Sequence, residues 1–183
     1  RFKPIARPLA ELRLDGVDLR VAAVTSSATV ASWQATPEKV IVIFEPPVAV
    51  DQETTLAVTY SASPKQGLYF RTPELGYPAG DSHLWTQGEP LEARHWFPSF
   101  DAPNEKFTSE VTCRVRPDMV VISNGRLVEE KTDAATGLKA VTWRQEKPHA
   151  NYLIALVAGY MKKLEDRHRD IPLAFYTPAS EIG

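Results

Sequence analysis

The chain is poor in the residues and motifs that mark most complete enzymes. One cysteine among 183 residues, Cys113, excludes an internal disulfide and a cysteine-built metal site. Its surroundings alternate (Val111, Cys113, Val115), so it reads as a small buried hydrophobe on a strand. The four histidines, His83, His95, His149 and His168, lack a histidine, cysteine or carboxylate at the i, i+4 spacing that builds a zinc site on a helix, and HExxH does not occur. GxSxG, a phosphate-cradling glycine loop and a dinucleotide fingerprint are also missing. Net charge is −2, with Lys and Arg scattered. Without a basic stripe to neutralise phosphates, nucleic acid is not expected as a partner. Lys162-Lys163 and Arg167-His168-Arg169 are interrupted by Glu165 and Asp166 and read as a solvated strand end or turn. No apolar run approaches the ~20 residues that span a bilayer. The longest, Leu153 to Ala158, is of strand length, so no transmembrane segment is expected. The chain opens on Arg1-Phe2-Lys3-Pro4, which reads as a strand end whose natural start precedes it, and no compartment, cytoplasmic or exported, is assigned.

What is present is the composition of a globular protein, 43% hydrophobic and 24% charged. A chain of this length buries roughly 70% of the surface that its unfolded form exposes. Fifteen prolines and many β-branched residues argue against long helices. Period-two alternation predicts strands at residues 11–15, 17–25, 40–44 and 54–61, then 108–116, 119–123, 126–131 and 139–144, and finally 152–158, 160–164 and 172–176. Pro46-Pro47 reads as strand punctuation, Asn124-Gly125 as a two-residue hairpin turn, and residues 133–137 as a longer hairpin loop. The only helical turn expected lies at residues 90–96, opened by Pro90. The expectation is an all-β protein: a large multi-stranded β-sandwich with little helix, one domain over residues 1–183.

The segment from Trp85 to Pro103 is chemically dense for a strand connection. Gln87 and Glu89 flank Gly88, after a short strand at residues 83–85, and an extended backbone would point both side chains to one side. A carboxylate and a carboxamide oxygen suit an ammonium group with its three N–H donors. One such charge pair at 4 Å is worth roughly 4 kcal/mol before desolvation. Two solvated loop residues is the other reading of the same pair. Arg94 and Asp101, the latter before Ala-Pro, read as a salt-bridged corner bracing the loop. His95 and Trp96 read as packing or rim residues.

Thr86-Gln87-Gly88-Glu89-Pro90, Ala93-Arg94, Phe97-Pro98-Ser99-Phe100-Asp101, Pro103 and Lys106 resemble a signature of the amino-terminal domain of the aminopeptidase N family of zinc metallopeptidases, which includes the leukotriene-processing hydrolase. Gly67-Leu68-Tyr69-Phe70 is similar to the family's G-[FL]-Y segment, and Ser123-Asn124 to its I-S-N. The stretch from Pro148 to Gly159, with Tyr152-Leu153 and Ala155, is similar to its P-x-x-x-Y-L-x-A-x-x-x-G strand. Ser99 departs from the family's usual cysteine, whereas Gly88 and Pro90 fall at positions the family lets vary.

The resemblance implies a saddle-like β-sandwich packed on a thermolysin-like catalytic domain that holds zinc through HExxH and a distant glutamate and carries a GxMEN motif. It also implies that Gln87 and Glu89 reach into the active site of that downstream domain and bind the free α-amine of a peptide substrate. On this reading no catalytic and no metal-binding residue lies in this chain, which alone is expected to bind no zinc and hydrolyse nothing. The alternatives are a non-catalytic aminopeptidase-like scaffold and a stand-alone module that binds a sugar or a protein partner. An intact amine receptor favours the enzyme over the scaffold.

Overall fold

The computed structural model describes residues 1–182, whose regular structure is fourteen strands and five 3-10 turns of three residues each. The chain divides into two compact units, each built from three separated stretches.

The first unit comprises Arg1–Leu68, Gln87–Glu105 and Ala150–Leu153. It contains β1 (Leu9–Asp15), β2 (Arg20–Ser26), β3 (Val30–Ala35), β4 (Lys39–Val48) and β5 (Leu56–Ser61). β4 lies between β1 and β3, antiparallel to both, and β2 pairs with β5. Period-two alternation puts Val40, Val42 and Phe44 on one face of β4, where they meet Leu12 and Leu14 of β1 and Val21, Val24 and Leu56 of the other sheet. The two sheets thus share one core. Each such side chain contributes about 1.5–3 kcal/mol of transfer free energy.

The second unit comprises Tyr69–Thr86, Lys106–His149 and the chain from Ile154 onward. Its strands are β6 (Leu68–Arg71), β7 (His83–Thr86), β8 (Lys106–Val115), β9 (Val120–Ser123), β10 (Arg126–Thr132), β11 (Lys139–Ala150), β12 (Leu156–Gly159), β13 (Lys162–His168) and β14 (Ile171–Thr177). One sheet has the order β6-β7-β12-β9 and another β10-β11-β8. They face each other across Val121, Leu156 and Ala158 on one side and Val141, Val111, Cys113 and Trp143 on the other. Cys113 lies on a strand as expected but is half-buried rather than buried, and that burial pushes its thiol up. The hairpin β13–β14 carries the basic pairs Lys162-Lys163 and Arg167-His168 on solvent-exposed positions.

Four local expectations are corrected. Pro46-Pro47 does not end a strand: β4 runs on to Val48, opposite Leu9, and the prolines occupy a register irregularity where the ladder needs no N–H. Asn124-Gly125 is a turn, with Gly125 at φ +85°, but β9 and β10 do not pair; the turn carries the chain from one sheet to the other. Residues 152–158 are not one strand, because a 3-10 turn at Asn151–Leu153 precedes β12. The helical turn expected at 90–96 shrinks to a 3-10 turn at Ala93–His95. Period-two alternation marks neither β3 nor β6. Only Val30 of β3 is even half-buried, so alternation gives no signal there, and β6 has four residues.

Candidate functional site

Gln87, Glu89, Arg94 and Asp101 all lie in the loop of the first unit that follows β7. The loop is pinned at its start by the Gln87 N–H, which donates to the Gly67 carbonyl (3.0 Å), and by the Glu92 N–H, which donates to the Gly88 carbonyl (2.9 Å). Gly67 sits at φ +76°, and a Cβ there would lie 2.1 Å from the Glu92 carbonyl oxygen, so only glycine fits. The Glu89–Pro90 peptide is cis.

Gln87 and Glu89 are exposed, and Gly88 between them is buried. The Glu89 N–H donates to the Gln87 side-chain carbonyl at 3.3 Å, which leaves that oxygen a second lone pair. The Glu89 carboxylate has no ion pair or hydrogen bond among the described residues. A free carboxylate beside a half-used carboxamide oxygen is an acceptor set, suited to a group that only donates.

Arg94 and Asp101 are joined directly. Asp101 is 1% exposed. Its Oδ2 accepts from the Arg94 backbone N–H (3.1 Å) and from Arg94 Nε (2.9 Å), while Arg94 Nη2 donates to the Asp101 carbonyl (3.1 Å). Charge-assisted bonds from one guanidinium to one residue at two points fix the loop's far arm. His95 Nε2 lies 3.3 Å from Glu92 Oε2 without hydrogen-bond alignment. Trp96 and Phe97 pack edge to face at 4.5 Å. Tyr60 of β5 donates its phenolic O–H to the Trp96 carbonyl at 2.8 Å, and burial pushes that phenol up.

Three contributors had no visible role in the sequence. Asp15, at the end of β1, accepts from the Asp101 N–H (3.1 Å) and from Lys39 Nζ (2.7 Å), with Arg94 Nη1 at 3.9 Å. Burial would raise its carboxyl; the Lys39 hydrogen bond, the Asp101 N–H and the charges of Arg94 and Lys39 outweigh that and hold it below the usual carboxylate range. Asp15 also exchanges backbone hydrogen bonds with Ser99 at 2.7 and 3.0 Å. Asn151, 1% exposed, donates from Nδ2 to Ser99 Oγ (2.6 Å), the Phe100 carbonyl (2.9 Å) and Asp101 Oδ1 (3.4 Å). Gly88 is the third. Placed among variable positions by resemblance, it is sterically constrained in this chain: a Cβ would lie 2.7 Å from the Tyr152 carbonyl oxygen and 2.9 Å from its Cα. An asparagine next to the Tyr152-Leu153 motif was the only hint in the sequence, and Asp15 carried none.

Among the described residues no three His, Cys, Asp or Glu side chains gather as a group that could hold a metal.

Residues 5–153 match the Peptidase M1 N-terminal domain family. Aminopeptidase N of Acetobacter pasteurianus is 34% identical over 133 residues, 68% of this chain and 36% of that protein. Aminopeptidase M1 of Arabidopsis thaliana is 38% identical over 85 residues, 46% of this chain and 9% of its own length. An M1 zinc metallopeptidase from Deinococcus radiodurans superposes with TM-score 0.74 at 19% identity, over 94% of this chain and 40% of its own. Legionella pneumophila aminopeptidase A superposes with TM-score 0.77 at 24% identity, over 93% of this chain and 20% of its own. These two likenesses show the fold. The chain spans about a third of its bacterial relative's length. With a family match over most of its residues and the family's all-β architecture in both units, the chain belongs to the Peptidase M1 N-terminal domain family.

Proposed function

We propose that this chain is the substrate-anchoring amino-terminal domain of a zinc-dependent aminopeptidase, and that Gln87 and Glu89 contribute to the receptor for a peptide's free α-amine. The observation that carries the reading is the acceptor pair itself: an unpartnered Glu89 carboxylate and an adjacent Gln87 carbonyl, exposed on either side of a buried glycine in a loop pinned at both ends. An ammonium group brings three donors and one positive charge to that pair. Fixing the amine end of a peptide also fixes which carbonyl is presented for hydrolysis, so positioning selects terminal over internal bonds. The relatives' names support the reaction class. One Deinococcus radiodurans M1 structure, of the E323A mutant, is bound to a Tyr-Ser-Ala substrate. Zinc in such enzymes supplies hydrolytic chemistry; the residues described here hold and orient the amine.

Replacing Glu89 by alanine in the full-length protein tests this. Hydrolysis of an amino-acid anilide is expected to lose about 2–5 kcal/mol of transition-state stabilisation, read from kcat/KM. Unchanged kcat/KM would refute the anchoring role.

A further inference from the structure

The resemblance and the acceptor pair say what Gln87 and Glu89 could bind, but not what holds them in register. We propose that Asn151 is the positioning residue for this pair, acting through the backbone of Tyr152, which lies against Gly88. The proposal rests on the amine-receptor reading of Gln87 and Glu89.

The turn Asn151–Leu153 is built inside out. Asn151 is 1% exposed, whereas Leu153 two residues later is 51% exposed. Hydrophobic burial alone would orient the turn the other way, so the hydrogen bonds of Asn151 set its direction. The orientation of the amide is forced by its surroundings. The Phe100 carbonyl can only accept, and so can the carboxylate of Asp101 paired with Arg94, so the NH2 group faces them and Oδ1 faces away. Oδ1 is left buried without a partner.

Those donors tie the turn to Ser99, Phe100 and Asp101, the arm that Arg94 and Asp15 also grip. One residue on, the Tyr152 backbone meets Gly88 so closely that no side chain fits between them. Gly88 sits outside the positive-φ region, so the obstacle to a larger residue is the Tyr152 backbone rather than its own conformation. Gln87 and Glu89 are the residues on either side of that contact. Asn151 therefore sets the depth of the Tyr152 backbone, and this sets the level of the acceptor pair.

The test uses the full-length protein and an amino-acid anilide, with Gly88→Ala and Asn151→Ala each made alone and on a Glu89→Ala background. On the wild-type background both are expected to lower kcat/KM on the order of 10- to 100-fold, as sub-ångström to ångström misplacement does, with the loss mainly in KM. On the Glu89→Ala background the same changes are expected to cost little more, because both routes end at one receptor. Hydrogen exchange at the Gln87 and Glu89 amides is expected to quicken in both variants. Equal losses on the two backgrounds, or unchanged KM and unchanged exchange, overturn the proposal while leaving the receptor reading in place. A silent Glu89→Ala overturns the receptor reading and the proposal with it. If Asn151→Ala fails to fold, Ser99→Ala takes its place, removing one acceptor of the Asn151 amide: a loss in KM that largely vanishes on the Glu89→Ala background supports the proposal, and unchanged KM and exchange overturn it.

Discussion

Asp15 brings a second carboxylate to the brace around the loop, between Lys39 and Arg94. Its carboxyl is held below the usual range, so in the folded chain it titrates below the unfolded value of about 3.9. The sign follows by linkage: its contribution is fully present above about pH 4 and is lost as pH falls through the lower, folded value. The melting temperature should therefore fall on acidification below about pH 4, and Asp15→Asn should flatten that limb; parallel acid limbs for the two proteins would sink the assignment. Arg94 carries a larger effect. Truncating it to alanine leaves the Asp101 carboxylate at 1% exposure without its guanidinium. Breaking a buried pair in this way costs about 3–5 kcal/mol, or roughly 6–20 °C in melting temperature for a chain of this size. Calorimetry checks it, and normal melting would show that the pair braces nothing. Arg94 and Asp101 could be paired from the sequence because seven residues separate them within one proline-rich loop. Asp15 and Asn151 could not. They reach Asp101 across separations of 86 and 50 residues, and no local pattern marks which buried carboxylate or amide a loop will find.

Strands were legible where one face is buried and the other is not. β8 alternates without exception over ten residues, and β4 shows three buried residues at every second position. β3 carries no such signal because it is nearly all exposed, held by its ladder to β4 rather than by an apolar face. Turn chemistry was legible too, but not its outcome. Gly125 takes the left-handed conformation that Asn-Gly announces, yet which strand β9 pairs with depends on β12, more than thirty residues away. The hairpin β13–β14 is the opposite case, local in sequence and local in pairing, with Leu164 opposite Phe175 and every residue of β13 exposed. Two-stranded ribbons without a covered face are marginal in water. Its amides are expected to exchange hydrogen orders of magnitude faster than those of β4, which lies between two strands and carries Val40, Val42 and Phe44 in the core. Peptide-level hydrogen-exchange mass spectrometry reads both segments, and slower exchange in the hairpin would contradict this account.

Across the whole molecule, family membership and fold follow from short local signatures, while the two-unit organisation does not, because neither unit is a continuous length of chain. The first unit takes its sheets from the first 68 residues, its loop from Gln87–Glu105 and its last stretch from Ala150–Leu153. That last stretch supplies Asn151, the amide that satisfies Ser99, Phe100 and Asp101. The order of synthesis then matters. A ribosome adding about 5–20 residues per second delivers Asp101 a few seconds before Asn151. During that interval the nascent loop has its arginine but not its amide, and the glycine between Gln87 and Glu89 has no backbone to rest against. The contact between Gly88 and the Tyr152 backbone can form only after the stretch Ala150–Leu153 has emerged, so the loop waits for the last-made part of its own unit.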